Sequence, residues 1–325
     1  MRRVVELAVE DAQREGWDLD VAAVDDEADD TIAAEVAHRL CSEEAVIAVV
    51  GHKNSGPSRA GAPIYAAAGL AQLTQCSTDD SLSRSGWDTF FRLCADNERQ
   101  AEVAAHYAHS HLKPARVAVV HDGTHYGRPL VEAFVKRMKA LDTPPVRVLA
   151  MQVGQRDFSR AVESIREAHA QLVYIGATEI EGSKLTIALR EAGVDAQIMT
   201  SEGGPDNPFA RLAGDAAEGT IHTYAGADPS ATEASRRIAQ RCVTELGAAP
   251  TFMVECCDAV TAIVAALATG ATTRAQMRDA VAQVDVEGLA GRIRFTSNGD
   301  RVNAPVSLWR VERSRMVPVD ETAVP

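Results

Sequence analysis

Two doubly wound α/β lobes with parallel sheets are the fold this sequence predicts, and three observations carry the expectation. Short β-rich apolar runs alternate with helical patterns from residue 19 to residue 226. Such alternation builds βαβ units, whose parallel strands are covered by helices on both faces. The strand-like runs are too many for one sheet, and a length of 325 residues suits two domains, each with its own core. After Gly226 a helical stretch and then late strands follow, so the chain crosses between lobes more than once and the hinge has several crossovers.

In chain order, the expected strands are LDVAAVDD (19–26), AVIAVVG (45–51), LAQLTQ (70–75), FFRLC (90–94), RVAVVHD (116–122), VRVLAMQV (146–153), QLVYIG (171–176), AQIMTSEG (196–203) and GTIHTYAG (219–226). Each is a short apolar run of the length and kind that builds a strand. The first helix between strands shows the general pattern: Ile32, Val36 and Leu40 repeat at i, i+4, i+8, with Asp29 and Asp30 as caps. Residues 229–246 and 252–283 read as two or three helices. IRFTS (293–297) and VSLWRVERSRMVPV (306–319) read as a hairpin-like pair split by the turn Asn298-Gly299-Asp300. Residues 1–95 and 227–299 are then expected in lobe 1, and 96–226 and 300–325 in lobe 2.

Composition narrows the function. Against 33 basic side chains stand 46 acidic ones, a formal charge of −13, which argues against nucleic-acid partners and anionic membrane surfaces. No window approaches the roughly 18 consecutive apolar residues of a spanning helix. Glu6, Glu10 and Asp11 interrupt what an export signal would need as an apolar core. Six cysteines form no C-x-x-C pair, so no zinc ribbon or thioredoxin motif is expected. The vicinal Cys256-Cys257 sits in a helical pattern that suits buried packing.

The most informative joint is AVIAVVGHKNSGPSRAGAPIY. Gly51-x-x-x-x-Gly56 has the spacing of a phosphate loop, but Pro57 occupies the lysine position. What remains is a helix starting near Pro57, with Ser55 at its positive end, either as a plain cap or as part of a site for a small carboxylate. A second joint ends a strand with Gln75, Cys76, Ser77 and Thr78, clustering hydroxyls where open α/β sheets bind ligands. A third leaves His121, Asp122, His125 and Tyr126 before a helix; the two histidines straddle a glycine turn and lack a third ligand, so no metal is expected. Glu202 closes a strand before Gly203-Gly204-Pro205 and, taken alone, reads as a solvated carboxylate. No G-x-S-x-G, G-x-G-x-x-G or H-E-x-x-H occurs, so neither an enzyme nor a cofactor is expected.

Together these joints resemble the leucine/isoleucine/valine-binding family of extracytoplasmic solute-binding proteins, which serve ABC transporters and have the type I periplasmic binding fold. The matching stretches, in order, are VELAVEDA (5–12), VVGHKNSGPSRAGAPIY (49–65), VAVVHDGTHYGRPL (117–130), DFSRAVESIREAHAQLVYIGA (157–177), IMTSEG (198–203) and AAEGT (216–220). The resemblance implies an amino acid held between two closing lobes. Its carboxylate would lie on Ser55 and on hydroxyl and backbone groups of Cys76, Ser77 and Thr78, its ammonium on Glu202 and a carbonyl near Cys76, with Tyr126 closing over it.

Departures bear on the side-chain end of that site. The cysteine pair that some members bridge falls at Ala28 and Asn54, and a second-lobe tyrosine of branched-chain binders is replaced near Ala177 or Thr178. A late Tyr-Asp-Ala reads Cys257-Asp258-Ala259. The resemblance also implies a first strand and loop ahead of VELAVEDA; none stands in the sequence, so the first lobe is expected to lack that central strand. The expectation is a monomeric, periplasmic or extracellular binding protein that takes an amino acid or small amine-carboxylate and partners a transporter permease. A sensor or receptor domain of the same fold, cytoplasmic in the absence of a leader, is the alternative. An enzyme with Ser55 or a cysteine as nucleophile is a third reading.

Overall fold

The computed structural model describes residues 1–201 and 203–319. It begins with α1 (Arg2–Arg14), α2 (Asp30–Ser42), β1 (Ala48–Val50), α3 (Ser55–Ala67), β2 (Ala71–Thr74), α4 (Asp80–Arg84) and β3 (Phe90–Arg92). It continues with α5 (Asn97–Tyr107), β4 (Val117–His121), α6 (Gly127–Ala140), β5 (Arg147–Ala150), α7 (Ser159–Glu167), β6 (Leu172–Gly176), α8 (Glu179–Glu191), β7 (Gln197–Thr200), α9 (Phe209–Ala213) and β8 (Ile221–Tyr224). Last come α10 (Glu233–Leu246), α11 (Met253–Ala268), α12 (Arg274–Ala282), β9 (Asp285–Gly288), β10 (Gly291–Arg294), β11 (Ser307–Glu312) and β12 (Arg315–Pro318). The chain divides into unit 1, Met1–Asp96 with Pro229–Pro305, and unit 2, Asn97–Asp228 with the stretch from Val306 onward.

Unit 1 is built on a parallel sheet in the order β1-β2-β3. One face packs α2 and α3 through Ala37, Leu40, Val49 and Tyr65. On the other, Leu73 and Phe91 pack against Ala259 and Ala262 of α11 and Met277 of α12. Asp29 caps α2 by accepting from the Thr31 and Ile32 N–H groups, as the sequence suggested.

Unit 2 holds a seven-stranded sheet in the order β12-β11-β8-β7-β6-β4-β5, parallel from β5 to β8 and closed by the antiparallel β11 and β12. Strand β4 lies between β5 and β6, so successive connections leave it in opposite directions. This makes the carboxyl ends of β4 and β6 a topological switch point, where adjacent loops part and leave room for a ligand. Alternation along β6 sends Val173 and Ile175 into a core with α7 and α8, and Tyr174 to the other face, stacked on Phe134 of α6 at 3.9 Å.

Three sequence expectations are corrected. Residues 19–26 form no strand. They are mostly exposed and pair with no strand among the described residues, while the Asp25 and Asp26 carboxylates capture the backbone N–H groups of Glu27 and Ala28. Such local capture competes with a ladder. IRFTS and VSLWRV do not pair: β10 pairs with β9, and 306–319 folds on itself as β11 and β12, with Arg313 and Ser314 at positive φ in the turn. The turn Asn298-Gly299-Asp300 does fold the chain back on IRFT, with Thr296 N–H on the Asp300 carbonyl and Val302 N–H on the Arg294 carbonyl. The returning arm also docks along β3, with Arg92 N–H on the Gly299 carbonyl and Arg301 N–H on the Arg92 carbonyl. Residues 300–305 therefore belong to unit 1, and the last crossing falls at Pro305 rather than at residue 299. Helix α3 starts at Ser55, with Pro57 third, a place where the backbone N–H has no intrahelical partner to lose.

His222 of β8 is fully buried against Phe209, with Nε2 2.8 Å from the Thr220 hydroxyl, and burial pushes its imidazole down to about 3. Between the usual histidine range near 6.5 and that value, the unfolded chain binds a proton that the folded chain refuses. Acid should therefore remove stability across this window, by up to about 1.4 kcal/mol per pH unit. Urea unfolding from pH 7 to pH 4 should give a shallower pH slope for His222→Gln than for the wild type.

Candidate functional site

In unit 1, two strand-to-helix loops lie side by side, one after β1 and one after β2. Ser55 is the first residue of α3 and is buried; Asn54, at the cap position, makes no side-chain capping bond. The Ser55 hydroxyl leaves its own helix and accepts from the Asp79 N–H at 3.3 Å, so it is not a plain helix cap. Cys76 is half-buried, with its N–H on the Thr74 hydroxyl at 3.3 Å.

Ser77 is fully buried and committed: its hydroxyl lies 2.7 Å from that of Ser58 and donates to the carbonyls of His52 and Lys53. Thr78 is 2% exposed, yet its hydroxyl has no hydrogen-bond partner among the described residues. A buried hydroxyl left without a partner costs about 1–3 kcal/mol, which marks it as a group waiting for an acceptor or donor.

Beneath this loop lies a residue that strand patterning concealed. Arg92 of β3 is 0% exposed, and all five of its N–H donors are used. They reach the Ser77 carbonyl at 3.1 Å, the Asp79 carbonyl at 2.9 Å, the Ser83 hydroxyl at 2.9 Å, and one oxygen of Asp300 at 2.9 and 2.6 Å. A trans peptide sets its C=O and N–H in opposite directions. With the Ser77 and Asp79 carbonyls drawn to the guanidinium, the N–H groups of Thr78 and Asp80 point away from it. The only sequence signal was a charged residue inside the apolar run FFRLC.

In unit 2, Tyr126 and Thr178 stand at the switch point, before α6 and α8 respectively. Tyr126 is half-buried and its N–H donates to the Thr124 hydroxyl, which is itself held by Asp122 at 2.6 Å. The second Asp122 oxygen accepts the Thr178 N–H at 3.3 Å, so one carboxylate fixes both loops. The Thr178 hydroxyl donates to Glu181 at 2.8 Å. Burial raises the Glu181 carboxyl, but Thr178, the Gly154 N–H and Lys184 outweigh it and hold the group below its usual range. Glu202 lies outside the described residues. His121 is half-buried, pushed down by that burial, and no group of three or more potential metal ligands occurs among the described residues.

Two α/β units with small hydroxyl residues at the carboxyl ends of parallel strands define the class as the type I periplasmic binding fold. The chain matches the periplasmic binding protein family over residues 1–315 and belongs to it. Members of this family are binding proteins rather than enzymes. A Leu/Ile/Val-binding protein homolog 1 from Brucella melitensis is 32% identical over 215 residues, which cover 66% of this chain and 57% of the relative. The match thus spans less than three fifths of that curated relative.

Among solved structures, a leucine-binding protein from Thermotoga maritima superposes with a TM-score of 0.89 at 22% identity, covering 98% of this chain and 93% of that one. A branched-chain amino acid transporter substrate-binding protein from Streptococcus pneumoniae, in complex with isoleucine, gives 0.87 at 20% identity, covering 98% and 94%.

Removing the Asp300 carboxylate should strand a buried guanidinium, a change that costs about 3–5 kcal/mol. Urea denaturation of Asp300→Ala should register such a loss, and Arg92→Met combined with Asp300→Leu should recover part of it. At the other loop, a Cβ on Gly127 would collide with the Gly176 carbonyl and the Asp122 carboxylate. Gly127→Ala should displace the start of α6, seen as changed Tyr126 fluorescence and a lowered melting temperature.

Proposed function

We propose that this chain is the substrate-capturing component of an ABC transporter and binds a branched-chain amino acid or a related small amine-carboxylate, without catalysis. The observation that carries this reading is the anion cradle of unit 1. Ser55 stands at the N-terminus of a 13-residue helix, next to a loop whose buried Thr78 hydroxyl has no hydrogen-bond partner among the described residues and whose carbonyls are drawn back by Arg92. A helix N-terminus with free N–H groups and hydroxyls suits a carboxylate.

The names of the Brucella relative and of the isoleucine-bound neighbour support the same ligand class. Tyr126 and Glu202 are assigned to cover and to the ammonium by resemblance. Thr178 lends its hydroxyl to Glu181 and can face a ligand only as an acceptor. Asp258, in the altered Cys257-Asp258-Ala259, is buried and bonded to Arg301 at 2.8 Å, so it serves the fold rather than the ligand. No helix among the described residues is long and apolar enough to cross a membrane. An extracytoplasmic location is proposed from the family, with a permease as partner.

A thermal-shift panel of amino acids, followed by calorimetry, tests the reading. At 100 times its Kd a ligand adds about 2.7 kcal/mol, or roughly 5–10 °C for units of this size. Ser55→Ala and Thr78→Val should each weaken binding by about ten- to a hundredfold, since each removes a bond to a charged group worth about 1.5–3 kcal/mol. Failure of every amino acid to stabilise the protein, or a Glu202→Ala variant binding like wild type, would refute it.

A further inference from the structure

We propose that Asp26, His52 and Tyr65 form a buried positioning triad that sets the geometry of the loop carrying Ser55. The proposal rests on the reading of that loop as a ligand-binding loop, and it adds residues that hold the loop without touching the ligand. The His52 ring is buried, with Nδ1 2.6 Å from the Asp26 carboxylate and Nε2 3.0 Å from the Tyr65 hydroxyl. A carboxylate can only accept, so Nδ1 carries the proton, and in the neutral ring Nε2 accepts from the Tyr65 O–H. The bond from His52, opposed by burial and helped by the Ala28 N–H, holds the Asp26 carboxyl below its usual range. Both ring nitrogens are thus engaged, one by the segment before α2 and one by α3.

Two further observations point the same way. Gly61 lies within α3, where glycine costs about 1 kcal/mol relative to alanine. A Cβ there would stand 2.8 Å from His52 Nε2 and 2.9 Å from Tyr65 Cε2, so the missing side chain makes room for the imidazole. On its other side, the His52 carbonyl accepts from the hydroxyls of Thr74 at 2.9 Å, Ser77 at 3.1 Å and Ser58 at 3.4 Å. His52 is therefore gripped by its ring and by its carbonyl. The carbonyl joins the loop after β1 to the loop after β2, which carries Thr78. Loss of the ring's two bonds would free the His52 backbone to shift, and with it the carbonyl that spaces the two loops.

The test uses the full chain without ligand first. Proton NMR should show the His52 Nδ1–H as an exchange-protected signal downfield of the amides, lost in Asp26→Ala and partly restored in Asp26→Asn. Hydrogen exchange at amides 53–55 and 76–79 should accelerate about tenfold or more in Asp26→Ala and in Gly61→Ala, the second of which raises helix propensity and so is not a simple destabiliser. Leucine affinity in both variants should fall about tenfold. Unchanged loop exchange in a folded Asp26→Ala protein, or no downfield signal in wild type, would overturn the triad. If wild type binds no amino acid, the functional reading fails while loop exchange still judges the triad.

Discussion

Everything in the unit 1 site depends on a guanidinium taken out of water. Arg92 has no exposed surface, and each of its N–H donors must find an acceptor, because an unpaired buried charge costs several kcal/mol. The acceptors it finds are the carbonyls of the loop after β2 and the Asp300 carboxylate, which arrives from the far side of the sequence. One side chain therefore ties the loop after β2, a strand and the segment leading to the last crossing. A neighbouring pair of opposite order, Arg301 with Asp258, anchors the same segment to α11. Gly299 completes the docking: its carbonyl accepts from Arg92, and a side chain there would strike the Phe90 carbonyl.

Unit 2 solves the same problem with a carboxylate. Asp122 reaches across the switch point to the Thr124 and Thr178 loops, and Glu181 reaches from α8 to Thr178 and to the Gly154 backbone. Loops at strand ends carry few apolar contacts, so their positions come from such charged bridges. The small residues Gly127 and Gly176 let helix and strand approach closely enough for the bridge to form.

Much of this fold was legible in the residues. Eight of the expected strands from AVIAVVG to GTIHTYAG appear as β1 through β8, because hydrophobic period and turn residues are local signals. LDVAAVDD misled because β-rich residues make a strand only beside another strand. The turn at Asn298-Gly299 forms, but its returning arm is residues 300–302 rather than VSLWRV, which finds β8 and β12.

The candidate site divides in the same way. Thr178 came only through the resemblance, but the strand-to-helix joints holding Ser55, Cys76, Ser77, Thr78 and Tyr126 could be located from spacing, since a joint is written in a few consecutive residues. Which of their hydroxyls remain available could not. Ser77 is spent on Ser58 and His52, Thr178 on Glu181, and Thr78 finds no partner among the described residues. The outcomes in unit 1 depend on Asp26, Arg92 and Asp300, which lie far apart in the chain, and that of Thr178 on Asp122 and Glu181. They are brought together by burial, where every polar group must be paired or bear the cost of lost water.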